Sequence, residues 1–79
     1  MFKKYSKIAK LLKQQKRLIK RREELIKLEE SIPYLIATSR SEEEKQSFEV
    51  ILRNIQDAQY LYTTAIVDIK FDIEEIIAS

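Results

Sequence analysis

The apolar residues of this chain fall on two sustained seven-residue beats, separated by a single proline. In the second half, Phe48, Leu52, Ile55, Gln59, Tyr62, Ile66, Ile69, Ile73 and Ile76 follow one another in alternating steps of four and three. Gln59 alone among them is fully polar. Such steps put every member on one stripe of an α-helix, at the core positions of a coiled coil. They predict a helix over about 42–78, on the order of 55 Å long at 1.5 Å per residue. Ser41 with Glu44 three residues on has capping-box spacing, and Glu42, Glu43 and Glu44 in the first turn suit the helix dipole. Glu49 and Arg53 add an i,i+4 pair.

The first half repeats more weakly. Leu11-Leu12, Leu18-Ile19 and Leu25-Ile26 recur at spacing seven, Ile32 takes the next beat, and Ile8 and Leu28 widen the stripe. Gln15 and Arg22 stand where a strict heptad calls for Leu or Ile. A helix over about 2–30 is expected, with a seam wide enough for one neighbour. The stretch 31–41 reads as a connector: Ser31 is placed to cap a new helical turn, Pro33 suits a first turn better than an interior, and Thr38-Ser39-Arg40-Ser41 marks the reversal.

The expected fold is therefore all-α: one domain over 1–79, an antiparallel, coiled-coil-like helical hairpin of two long helices with a short Pro-containing connecting element. Tyr60, Leu61, Val67, Phe71 and Ile77 are apolar but off the second seam, and a single narrow helix cannot cover them all. Ile at successive core positions also favours assemblies larger than two strands. A dimeric or larger bundle, or a protein partner, follows as an expectation. The interface is assigned to Leu52, Ile55, Gln59, Tyr62, Ile66, Ile69 and Ile73 together with Tyr60, Leu61, Val67 and Phe71. Gln59 reads equally as a register-fixing amide or as a residue at the seam's wet edge.

Composition narrows the chemistry. There is no Gly, Cys or His and only one Pro, which removes Gly-dependent turns and phosphate loops, disulfides, and the usual zinc and haem ligands. No cofactor or metal is expected. Asp68 and Asp72 at i,i+4, with Glu75 beyond, resemble half of a carboxylate-bridged site, but helix-bundle sites of that type also use His. The serines have no His to act as base, so neither an enzyme nor a small-molecule substrate is expected. Tyr5, Tyr34, Tyr60 and Tyr62 at helical spacing read as residues at the rim of a core. No run is apolar enough to span a bilayer, the Lys-rich start lacks the apolar stretch of a secretory signal, and the lack of Cys fits a cytoplasmic location.

Charge is distributed asymmetrically. Residues 1–22 hold ten Lys/Arg and no acid, whereas 23–79 hold thirteen Asp/Glu against five Lys/Arg. If the helices fold back about residue 36, position i faces 72 − i, and Lys3, Lys4 and Lys7 meet Asp68 and Asp72. Lys10, Lys13, Lys16, Arg17, Lys20, Arg21 and Arg22 then lie beside 50–62, where only Arg53 and Asp57 are charged. Seven cations are left unmatched. The leading expectation is a non-enzymatic adaptor or chaperone-like module that binds a protein, or itself, helix to helix. The alternative is a small regulator gripping nucleic-acid backbone through Lys13, Lys16, Arg17, Lys20, Arg21 and Arg22. An anionic membrane surface, met by Phe2 and Tyr5 beside the lysines, is a third and weaker reading.

Overall fold

A computed structural model describes the backbone of residues 2–79 and the side chains of 3–79; Phe2, as a membrane-facing side chain, thus lies outside the described residues. Two helices make up the structure, α1 over Phe2–Ala37 and α2 over Glu42–Ala78. They pack against each other as an antiparallel hairpin measuring 61 × 14 × 12 Å. The radius of gyration is 18.0 Å, against about 12 Å for a compact domain of this length. The molecule is a rod.

Burial repeats along both helices in the four-three rhythm. On α2 the half-buried and buried positions include all nine residues of the expected seam, with Ile55 and Ile69 the most enclosed. On α1 they include Lys4, Ile8, Leu11, Gln15, Leu18, Arg22, Leu25, Glu29, Ile32 and Ile36, with Ile19 and Leu35 half-buried beside that rhythm. One row of α1 (Leu11, Leu18, Leu25, Ile32) is apolar throughout. The other (Ile8, Gln15, Arg22, Glu29, Ile36) is apolar only at its ends. Enclosing an Ile or Leu side chain contributes about 1.5–3 kcal/mol at full burial, yet among the described residues only Ile32, Ile55 and Ile69 are buried and no side chain is completely enclosed. The core is thin because two cylinders share one line of contact.

Helix α1 does not end at residue 30. It continues through Pro33 to Ala37, and the connector expected over 31–41 shrinks to Thr38–Ser41. Proline at this position removes one bond, from residue 33 to the carbonyl of Glu29, but only four residues of helix follow it. Ser31 therefore caps nothing; its Oγ donates back to the Leu28 carbonyl at 2.7 Å. Without glycine the chain cannot close α1 on a left-handed residue at low cost, and no described residue has positive φ. Hydroxyls close it instead: Thr38 Oγ1 donates to the Tyr34 carbonyl (2.9 Å) and Ser39 Oγ to the Ile36 carbonyl (2.8 Å). Ser41, at φ −147° and ψ 161°, then caps α2 by accepting from the Glu44 backbone N–H at 3.1 Å.

The pairing register also differs from expectation. Lys4 Nζ donates to the Ile77 carbonyl and Gln15 Nε2 to the Ile66 carbonyl, so i meets about 81 − i rather than 72 − i, while Arg22 and Gln59 reach further, to Thr63 and Glu29. The shift follows from the extra turns of α1, which move the reversal from about residue 36 to residues 38–41.

Candidate functional site

Assembly of the seam accounts for most of the interface residues expected from sequence. Leu52, Ile55, Gln59, Tyr62, Ile66, Ile69 and Ile73 lie on the stripe that α2 turns toward α1 and are engaged within the chain. Tyr60, Leu61, Val67 and Phe71 remain outside, with Tyr60 72 % and Leu61 66 % exposed. Gln59 belongs to the seam: half-buried, it donates from Nε2 to Glu29 Oε2 at 3.2 Å. Glu29 escaped the sequence reading, although it lies seven residues after Arg22 and fourteen after Gln15. That spacing was the available signal.

Two further corrections concern the basic stretch. Arg22 is not part of an exposed cationic face. It turns into the seam, where Nη1 donates to Thr63 Oγ1 at 3.4 Å and Nε is buried without a hydrogen-bond partner. Lys13, Lys16, Arg17, Lys20 and Arg21 are all exposed, and Arg17, Lys20 and Arg21 surround a shallow depression together with Glu24. In the observed register, residues 10–22 lie beside 59–71, where Asp68 and Lys70 cancel formally. Seven positive charges thus stay uncompensated by the adjoining helix, as in the register first expected. Lys3, Lys4 and Lys7 come beside Ile76 and Ser79 rather than Asp68 and Asp72.

The apolar residues outside the seam fall on distinct faces. Leu12 and Ile26 are exposed, so the second members of the Leu-Leu and Leu-Ile pairs form a separate row with Tyr5 and the half-buried Ile19. Tyr5 shares a depression with Ile8 and Ile77 at the open end of the hairpin. On the opposite side, Leu18 of α1 meets Ala58, Leu61, Tyr62 and Ala65 of α2 in a second, more apolar depression. Of the tyrosines, only Tyr62 is at the core; Tyr5, Tyr34 and Tyr60 stand on the surface.

Asp68, Asp72 and Glu75 are exposed, and among the described residues no three such side chains gather closely enough to hold a metal ion. No described helix is long and apolar enough to cross a membrane. What the geometry offers is surface: apolar faces flanking a thin core, and one cationic stretch. Comparison with known proteins finds no matching family model, and no match among curated proteins or solved structures.

Proposed function

We propose that this protein is a non-enzymatic helical interaction module, adaptor or chaperone-like, that receives protein helices on the faces its hairpin leaves open. One observation carries this reading: among the described residues three side chains are buried, while Tyr60, Leu61, Val67 and Phe71 stand in water on a single helix. Single exposed apolar residues are ordinary, but contiguous apolar faces on so small a chain mark contact surfaces. Helix-to-helix docking suits them because Tyr60, Val67 and Phe71, at i, i+7 and i+11, share one side of α2, while Leu61 stands on another.

A photo-crosslinking residue placed at Leu61 or Phe71, in the cells that make the protein, tests the proposal. Adducts with protein at either position, and none from the exposed Glu43 in the first turn of α2, are the expected result. Absence of adducts at both positions overturns it.

The exposure of Lys13, Lys16, Arg17, Lys20 and Arg21 favours a second reading, contact with nucleic-acid backbone. Glu24 beside Arg17, Lys20 and Arg21 works against it locally.

A further inference from the structure

On the side of the hairpin that carries Leu18, Ala58, Leu61 and Ala65, α2 presents no charge through its middle, while α1 carries the exposed Arg21 seven residues before Leu28. Read along α2, this face runs Ser47, Ile51, Asn54, Ala58, Leu61, Ala65, again in steps of four and three; none of the six is ionisable, and the same rhythm meets charge only beyond them, at Glu44 and at Asp68 and Asp72. Alongside it on α1 lies Leu28, three residues after Leu25 and four before Ile32 of the apolar seam row. Ala58 and Ala65 are small enough to let another helix approach closely, and Ile51 and Leu61 supply the bulk that such an approach encloses.

Charge identifies the occupant. Cut between Arg22 and Glu23 on α1 and between Asp57 and Ala58 on α2, the hairpin divides into two halves of opposite sign. The loop half, 23–57, holds nine Asp/Glu against four Lys/Arg, a formal −5. The open half, 3–22 with 58–79, holds eleven Lys/Arg against four Asp/Glu, a formal +7. A second copy turned end for end about Ala58 lays each half on its opposite. A copy laid parallel sets +7 on +7.

We infer that two copies of this chain pair through the Ile51–Ala58–Leu61–Ala65 face, antiparallel, about a two-fold axis near Ala58, to form a four-helix bundle. The inference rests on the interaction reading above and names the partner. With α2 on α2, residue i opposes 116 − i, so Ile51 meets Ala65 and Leu61 falls beside Ala58 and Asn54 of the second copy. With α1 on α1, residue i opposes 46 − i, so Leu28 meets Leu18 of the second copy and the 10–22 stretch lies over 24–36. Large residues oppose small ones on α2, and leucine opposes leucine on α1.

Area is sufficient. The chain exposes 6602 Å², about 1,600 Å² above the roughly 5,000 Å² expected for a compact monomer of its mass. A stable interface of standard size needs only about 800 Å² from each partner. A rod always has surface to spare; here the spare surface includes a stretch of α2, residues 47–65, uncharged along one face and complementary to itself when reversed.

Sedimentation equilibrium on the full chain, with helicity followed by circular dichroism, tests the pairing. At micromolar concentration the wild type is expected at twice the 9.4 kDa chain mass. Ala58→Arg sets two cations together on the axis and is expected to give helical monomers, whereas Phe71→Ser, on another face, leaves the dimer intact. Because the chain has no cysteine, Ala58→Cys supplies a test that does not depend on the Arg variant folding. It is expected to oxidise to a disulfide-linked dimer many-fold faster than Thr64→Cys on the back of α2. A monomeric wild type, a dimer lost in Phe71→Ser but not in Ala58→Arg, or equal oxidation of the two cysteine variants overturns the inference. If pairing fails while Leu61 still crosslinks to another protein, the interaction reading stands without it; if neither occurs, both fall.

Discussion

Gln59 Nε2 donates to Glu29 Oε2 across the helix pair at 3.2 Å, joining two polar side chains where a uniform coiled coil would place leucines. Both residues are half-buried, so the bond forms in a medium where an unmet carboxylate is costly and a met one is close to neutral. Replacing both by Leu is expected to raise the urea midpoint, by about 1–2 kcal/mol of stability. Gln59→Leu alone, which leaves Glu29 unpaired, should gain less than the apolar contact it adds. A double-mutant cycle on the two sites measures the coupling.

Arg22 presents the opposite case, a seam residue incompletely satisfied. Its one side-chain bond to α2 is long, and its Nε is buried and unpaired. Arg22→Met keeps much of the volume and removes the unmet donor. It is expected to stabilise the fold by about 1 kcal/mol, read from thermal or urea unfolding. Because Arg22 faces the seam, the same change should leave any phosphate binding by the exposed stretch nearly unaltered.

Pro33 interrupts the bonding of α1 without ending it. Pro33→Ala restores an N–H that can reach the Glu29 carbonyl and removes the ring from the helix interior. A gain of about 1–3 kcal/mol is expected, lowered from the full interior penalty by the extra freedom of the unfolded chain. Chemical denaturation followed at 222 nm checks it.

The exposed cations separate the two functional readings. If they serve nucleic acid, fluorescence anisotropy with generic duplex DNA should show binding that falls by about a thousandfold between 50 and 200 mM salt. Lys16→Glu, Arg17→Glu, Lys20→Glu and Arg21→Glu together should then abolish it with helicity unchanged. If the stretch serves the pairing of two copies, DNA binding is absent at low salt and the quadruple variant sediments as a monomer.

Helix α2 could be read directly because eight of its nine seam positions are apolar, so period and face coincide. Only half of α1 could. Its row Leu11, Leu18, Leu25, Ile32 is visible, but Gln15, Arg22 and Glu29 look like surface residues until the structure sets them against Ile66, Thr63 and Gln59. Adjacent pairs such as Leu11-Leu12 also suggested a single stripe. Neighbours in a helix point 100° apart, so one member of each pair had to leave the seam. The register was not legible at all, since it depends on where α1 stops, and a proline four residues from a helix end is a weaker barrier than one in mid-helix. The uncharged face around Ala58 was missed because alanine carries little signal beside the larger residues flanking it.

The reversal at Thr38–Ser41 has a consequence for how this chain tolerates change. A turn closed on a left-handed glycine has one residue that no other can replace. Here hydroxyls close both helix ends on ordinary backbone angles; Ser, Thr or Asn could donate the bonds that end α1, and Thr, Asn or Asp could accept the one that caps α2. Mutational drift can therefore rewrite the turn residue by residue without disturbing the helices. Descendants of this sequence should be recognised by the seven-residue spacing of their seams, while the loop that joins them keeps no fixed signature.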